Sequence, residues 1–270
     1  ISMEDNVHLP LVYVTYPTVY ARHEDEAPLD LLAEILGGGR TSIFYQSLIK
    51  SQIAVNAAVS HPCAELACRF TLYALPNPRS GKSLGEIEAI MDKAFEEFEK
   101  RGVTDDDLLK AKAGNESSTI FGLQSVSGKV SQLAAYQTYT GTPNYIGKDI
   151  ERYQNVTRED VMRVYEKYIK GKHAVTMSVV PKGKLDMVAH EDTFRPKIRN
   201  FTIESETKAD ELELRIATDT FDRSVQPKAG KNPLVSIPEY WNDSLSNGIQ
   251  ILGANSSETP TTSILLKIPG

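Results

Sequence analysis

Ser83-Leu-Gly-Glu86 opens a run in which Ile87, Ile90, Met91, Ala94, Phe95 and Phe98 recur at helical spacing before Gly102. A hydroxyl followed three residues later by a carboxylate is a capping box: each side chain satisfies a backbone N–H that the first turn leaves without a partner. The run is therefore a helix with one apolar face, which must be covered by another layer. Two further helix starts share this chemistry. Thr104 caps a helix whose first turn holds Asp105, Asp106 and Asp107, where carboxylates suit the positive end of the helix dipole. Its pattern continues through Ala111, Ala113, Ile120 and Leu123 to Tyr139, with Gly122 and Gly128 as kinks. Thr157-Arg-Glu-Asp160 opens a last helix, with Val161, Val164, Tyr165 and Tyr168 inward and Gly171 as its stop.

Upstream, Pro28 to Leu36 places Leu29, Leu32, Ala33 and Leu36 on one helical stripe, with Pro28 at a favourable first position. Gly37-Gly38-Gly39-Arg40-Thr41-Ser42 comes next. A phosphate cradle would need a strand before the glycines and a lysine after them, and neither is present. The glycines read instead as a helix break, with Gly37 as a left-handed cap and Thr41 or Ser42 starting a second helix that carries Phe44, Leu48 and Ile49. Residues 11–20 (LVYVTYPTVY), 53–60 (IAVNAAVS), 68–75 (CRFTLYAL) and 173–180 (HAVTMSVV) are rich in β-branched and aromatic residues and read as strands, the middle two as a hairpin.

After Gly183 the chain is charged, carries three prolines as far as Pro233 and shows no sustained period, which marks a connector. Gly248–Ala254 and Thr261–Ile268 read as two more strands, the first entered through the turn signal Ser246-Asn247-Gly248. The chain looks cut at both ends. Its 270 residues, 40% hydrophobic and 24% charged, can fill a sizeable core. A net charge of -6 and a pI near 5.5 offer no footprint for nucleic acid, and no apolar stretch is long enough to span a membrane.

The order of these elements resembles the second domain of the pitrilysin/insulinase family of zinc metallopeptidases. The resemblance is carried by Pro28-Leu-Asp-Leu-Leu-Ala-Glu-Ile-Leu-Gly-Gly-Gly39, Ser47-Leu48, Gly102-Val-Thr-Asp-Asp-Asp107-Leu and Val156-Thr-Arg-Glu-Asp-Val161, over roughly residues 9 to 183. Residues 243–270 are similar to the opening of a first-type domain of the same family. The resemblance implies an α+β fold, an antiparallel or mixed sheet with helices on one side, and two halves that close around a chamber for peptides. It also implies a division into a non-catalytic domain (1–183), a connector (184–230) and the truncated start of a second domain (231–270). In that setting Gly37, Gly38, Gly39 and Arg40 are candidates to line the substrate chamber. The partners implied are the upstream zinc domain, the downstream half of the polypeptide and peptide substrates. Relatives of this kind point to an exported, periplasmic protein.

The family's zinc site is an inverted H-x-x-E-H motif, two imidazoles holding the metal and the first glutamate activating water. Of His8, His23, His61, His173 and His190, none has a second histidine four positions away. His23-Glu24-Asp25-Glu26 and His61-Pro62-Cys63-Ala64-Glu65 come nearest, and both read as solvated surface turns. No catalytic residue and no zinc are thus expected in this chain, and a peptidase parent would hold its zinc upstream of Ile1. No G-x-S-x-G elbow occurs, packing accounts for Ser125 and Ser127, and the carboxylates of Glu96-Glu-Phe-Glu-Lys100 form a solvated helix face. The function implied is a non-catalytic segment of a zinc metalloendopeptidase; the alternative is a structural or assembly subunit of the same fold. Cys63 and Cys68 face each other across the base of the expected hairpin turn, where a disulfide or two buried thiols are both open.

Overall fold

In the computed structural model the chain is described over residues 1–194, 222, 224–226, 228, 230, 231, 238–256 and 258–268. It divides into two units, residues 1–195 with 259–270, and residues 196–258. The first unit is built on a five-stranded mixed sheet of β1 (Ser2–Asp5), β2 (Leu11–Pro17), β3 (Ala54–Ser60), β4 (Arg69–Pro76) and β5 (Val175–Pro181), in the order β1-β5-β2-β4-β3. β1 runs parallel to β5, and every other pairing is antiparallel. The α+β expectation is borne out.

The register shows why one face is covered. Val12 lies opposite Ala74 and Ser178, and Val14 lies opposite Leu72 and Thr176. Ala57 and Val59 extend these two rows on β3. Side chains alternate along a strand, so these rows form one apolar surface, with Val12, Leu72 and Ala74 fully buried. The opposite face carries Tyr13 stacked on Tyr73, their ring centroids 6.4 Å apart.

Six helices are described: α1 (Glu26–Gly37), α2 (Leu84–Arg101), α3 (Asp105–Gly122), α4 (Val126–Thr140), α5 (Ile146–Gln154) and α6 (Arg158–Tyr168). α2, α3 and α6 each begin with a complete capping box, formed by Ser83 with Glu86, Thr104 with Asp107 and Thr157 with Asp160. α2 buries Leu84, Ile87, Met91, Ala94 and Phe98. Phe98 meets the Tyr165 ring edge-on at 5.1 Å, which joins α2 to α6. α1 lies in the core, with Leu29, Leu32 and Leu36 excluded from solvent.

Four details differ from the sequence reading. The helix after Thr104 does not run on to Tyr139: it ends at Gly122, and Ser125 starts α4 by accepting a hydrogen bond from the Gly128 N–H at 2.9 Å. Ser125 is therefore a cap rather than a packed side chain. α5 is an additional helix, and its N-cap position, Tyr145, makes no side-chain cap. The left-handed residue of the glycine run is Gly39 (φ 68°), not Gly37, which closes α1. Thr261–Ile268 is not a strand, because no strand pairs with it among the described residues. In the second unit β6 (Tyr240–Ser244) and β7 (Gln250–Ala254) form an isolated antiparallel hairpin. Most of the expected connector, residues 195–221, lies outside the described residues. No described helix is long and apolar enough to cross a membrane.

Candidate functional site

The glycine run sits where α1 meets the sheet. A Cβ on Gly37 would stand 2.5 Å from the Val59 backbone nitrogen and 2.7 Å from its Cβ, so a glycine is what lets α1 approach β3 this closely. The Gly38 N–H donates to the Glu34 carbonyl at 2.7 Å, and Gly39 reverses the chain. Ser42, rather than Thr41, organises the turn beyond the glycines: its hydroxyl donates to the Gly39 carbonyl (3.0 Å) and accepts from the Tyr45 N–H (3.3 Å). Tyr45–Lys50 is π-helical and buries Leu48. These N–H groups are spent on the chain itself and do not converge on an anion. Arg40 is exposed, and its guanidinium makes no hydrogen bond or ion pair among the described residues.

The start of α1 holds the most concentrated polar chemistry in the unit. Asp25, Glu26 and Asp30 reach from the start of α1 to partners on α5 and α6. Asp25, completely buried, accepts from Arg163 (2.6 Å), Lys167 (2.7 Å) and the Tyr168 hydroxyl (2.7 Å). Burial works against its charge, but the hydrogen bonds from Lys167, Tyr168 and Arg163 outweigh it and hold the carboxyl at about 2. Glu26 accepts from the Arg22 N–H and from Arg152, both at 2.7 Å. Asp149 on α5 then gathers Arg22 (2.9 Å), Arg152 (2.9 Å) and the Tyr136 hydroxyl (3.0 Å). Burial and the Asp149 carboxylate push the Tyr136 phenol up to about 12. Arg22 stacks over the Tyr136 ring at 5.5 Å and holds a left-handed backbone (φ 70°).

Asp30 binds the Tyr153 hydroxyl through one oxygen (2.6 Å) and His61 Nδ1 through the other (2.7 Å). His61 Nε2 faces the Thr18 hydroxyl at 2.8 Å. The solvated turns expected at His23-Glu24-Asp25-Glu26 and at His61 are therefore corrected: Asp25, Glu26 and His61 are all buried. Their partners lie as far as 143 residues away in the chain, and no local pattern pairs them. The saturated carboxylates act as counter-ions, not as proton carriers: each buried oxygen already has a strong donor. Arg22, Asp149, Arg152, Arg163 and Lys167 are not distinguishable by sequence from ordinary surface charges.

Of the five histidines, His61 is bonded to Asp30 and Thr18, His23 Nδ1 accepts from the Asp25 N–H, and His190 pairs with Glu88 at 2.7 Å. No two of them share a metal-ligand cluster among the described residues. Cys63 and Cys68 form an isolated antiparallel bridge, with sulfurs 2.12 Å apart and Cα atoms 4.0 Å apart.

Against this geometry, residues 1–115 match the family described as peptidase M16 inactive domain. This part of the chain is similar to M16 inactive domains. The resemblance to pitrilysin-type peptidases read from the glycine run and the capping motifs is borne out. The chain is 26% identical over 182 residues to a zinc protease, PqqE, from Helicobacter pylori, covering 66% of this chain and 40% of that one. Its fold matches a protease from Helicobacter pylori with a TM-score of 0.59 at 23% identity, over 67% of this chain and 43% of that one. It also matches the inactive peptidase domain of a putative zinc protease from Bordetella parapertussis, with a TM-score of 0.57 at 16% identity, over 67% of this chain and 97% of that one. The chain thus spans about two-fifths of the curated relative's length.

Proposed function

We propose that this chain is a non-catalytic segment of a zinc-dependent metalloendopeptidase, in which it forms one wall of the peptide chamber and carries the connector between two halves. The observation that carries this reading is the match of residues 1–115 to the inactive domain, in a sequence without an H-x-x-E-H motif. The exposed apolar side chains of α3 and α4, Leu109, Phe121, Val126, Val130 and Leu133, support a surface covered by other parts of the polypeptide. On this reading residues 1–183 are the inactive domain, 184–230 the connector and 231–270 the start of the following domain. Gly37, Gly38, Gly39 and Arg40 form a rim at the end of α1, where the unpaired Arg40 guanidinium faces outward to meet peptide. The zinc belongs to another segment of the parent. The Cys63–Cys68 pair supports an exported, oxidised protein.

The test is a quenched-fluorescence peptide assay on this chain alone, on the zinc-bearing segment of the parent alone and on the two combined. Cleavage is expected only from the combination. Cleavage by this chain alone would refute its non-catalytic role, and full activity of the zinc segment alone would refute the bracing role. A parent reading frame without H-x-x-E-H would leave the assembly-subunit alternative in its place.

A further inference from the structure

The turn between β3 and β4 assembles a donor set that the family's zinc chemistry does not use. His61 Nδ1, Cys63 Sγ and Cys68 Sγ all lie within 4.8 Å of one another. Cys63 Sγ is 3.8 Å from His61 Nδ1, and Asp30 Oδ1 is 2.7 Å from the same nitrogen. Two sulfurs and an imidazole are three ligands of zinc-site type, and Asp30 lies outside that cluster as the hydrogen-bond partner of the imidazole. In a tetrahedral site with Zn–S about 2.3 Å and Zn–N about 2.0 Å, neighbouring donors stand about 3.5 to 3.8 Å apart. The Cys63–His61 distance already meets that; the two sulfurs must separate, and His61 Nδ1 must give up its hydrogen bond to Asp30.

The platform beneath is held by backbone bonds that owe nothing to the sulfurs. The Thr18 N–H donates to the Cys68 carbonyl (3.1 Å), the Cys68 N–H to Val19 (2.5 Å), the Arg69 N–H to Pro62 (3.1 Å) and the Ala21 N–H to Ala64 (3.1 Å). His61 and Asp30 are likewise oriented from behind. Thr18 holds Nε2, and Tyr153 holds the second Asp30 oxygen, as supporting groups do around metal ligands. The cysteines are five residues apart, so the cross-link removes little chain entropy and the fold does not depend on it.

We infer that reduction of the Cys63–Cys68 pair converts this turn into a binding site for a thiophilic divalent cation of the zinc class, with Cys63, Cys68 and His61 Nδ1 as ligands and the Asp30 carboxylate beside them. A dithiol reductant supplies the two electrons and two protons that cleave the S–S bond and leaves as its own disulfide. Metal entry then releases both thiol protons, and the imidazole carries its remaining proton on Nε2, where the Thr18 hydroxyl accepts it. Three protein ligands tie the ion to the turn, and the Asp30 carboxylate next to His61 adds a compensating negative charge.

The full chain is titrated with Co2+ before and after reduction by a water-soluble phosphine, which leaves as its oxide with oxygen taken from water. The reduced chain is expected to bind one equivalent, with thiolate-to-cobalt charge transfer in the near ultraviolet and d–d bands of tetrahedral intensity. The oxidised chain and the reduced Cys63→Ser variant are expected to lack that charge-transfer band or to lose most of it, and Asp30→Asn to bind about 10- to 100-fold more weakly. Far-ultraviolet circular dichroism of each protein reports folding. The inference is overturned if the reduced chain shows no thiolate band, if Cys63→Ser keeps it in full, if the oxidised chain binds equally well, or if reduction alone unfolds the domain.

Discussion

Replacing Asp25 by Asn should destabilise the domain by about 2 to 2.5 kcal/mol at neutral pH. A carboxyl held at about 2 instead of its usual 3.8 corresponds to that amount, at about 1.36 kcal/mol per tenfold change in acidity. Breaking a sealed ion pair costs about 3 to 5 kcal/mol, because the orphaned charge stays buried. Arg163 and Lys167 are 47% and 51% exposed and can turn to water when Asp25 loses its charge, which keeps the figure near the lower value. The pH dependence carries the sharper signature. The folded-state pKa is depressed, so the stabilisation is present in full above the unfolded value of 3.8 and is lost as pH falls towards about 2. The difference between wild type and Asp25→Asn should therefore be constant above about pH 5 and vanish near pH 2. Urea unfolding of the full chain monitored by far-ultraviolet circular dichroism measures it; Trp241, the single tryptophan, lies outside the sheet unit and does not report on it. A difference below about 0.5 kcal/mol at pH 7, or one that does not change between pH 5 and 2, would refute the account of Asp25 as the charged clasp between α1 and α6.

Gly37→Ala should cost about 1 to 3 kcal/mol, because the new methyl meets the Val59 backbone, which cannot turn aside as a side chain can. Unfolding within about 0.5 kcal/mol of wild type would mean that α1 and β3 part without penalty. Limited trypsin digestion should remove the β6–β7 hairpin, whose strands are exposed along most of their length, and leave a stable core ending near Lys182 or Lys184. Protection of the Trp241 peptide equal to that of α2 would contradict this.

The range of each interaction decides whether the sequence discloses it. The three capping boxes are local chemistry, a hydroxyl and a carboxylate three residues apart, and all three helix starts fall where that spacing puts them. Gly37 is legible as a break but not as a close approach, since its neighbour Val59 belongs to a strand beyond the intervening π-helical turn. α5 escapes notice because no side chain caps it, although Ile146, Ile150 and Tyr153 lie on one stripe. Thr261–Ile268 has the composition of a strand, but a strand exists only where a partner supplies its hydrogen bonds, and β composition cannot announce a partner. The clasp at the start of α1 is invisible for the same reason: Asp25 and Tyr168 are 143 residues apart, and a charged turn looks the same whether solvent or three donors surround it.

The position of β5 dictates the order in which the sheet can be completed. β2, β3 and β4 all lie before Asn77, so their antiparallel block can form as soon as that stretch is available. β5, which begins at Val175, pairs with both β2 and β1, and the parallel contact joins Ser2 to Ser178. Until β5 arrives, β2 presents an open edge of unpaired backbone groups and β1 has no partner. Pairings this distant in sequence are slow, so the long helical segment between β4 and β5 is made while that edge waits. On a ribosome the interval is about 5 to 20 s at typical synthesis rates, a period in which a shielding chaperone would protect β2 from joining another chain.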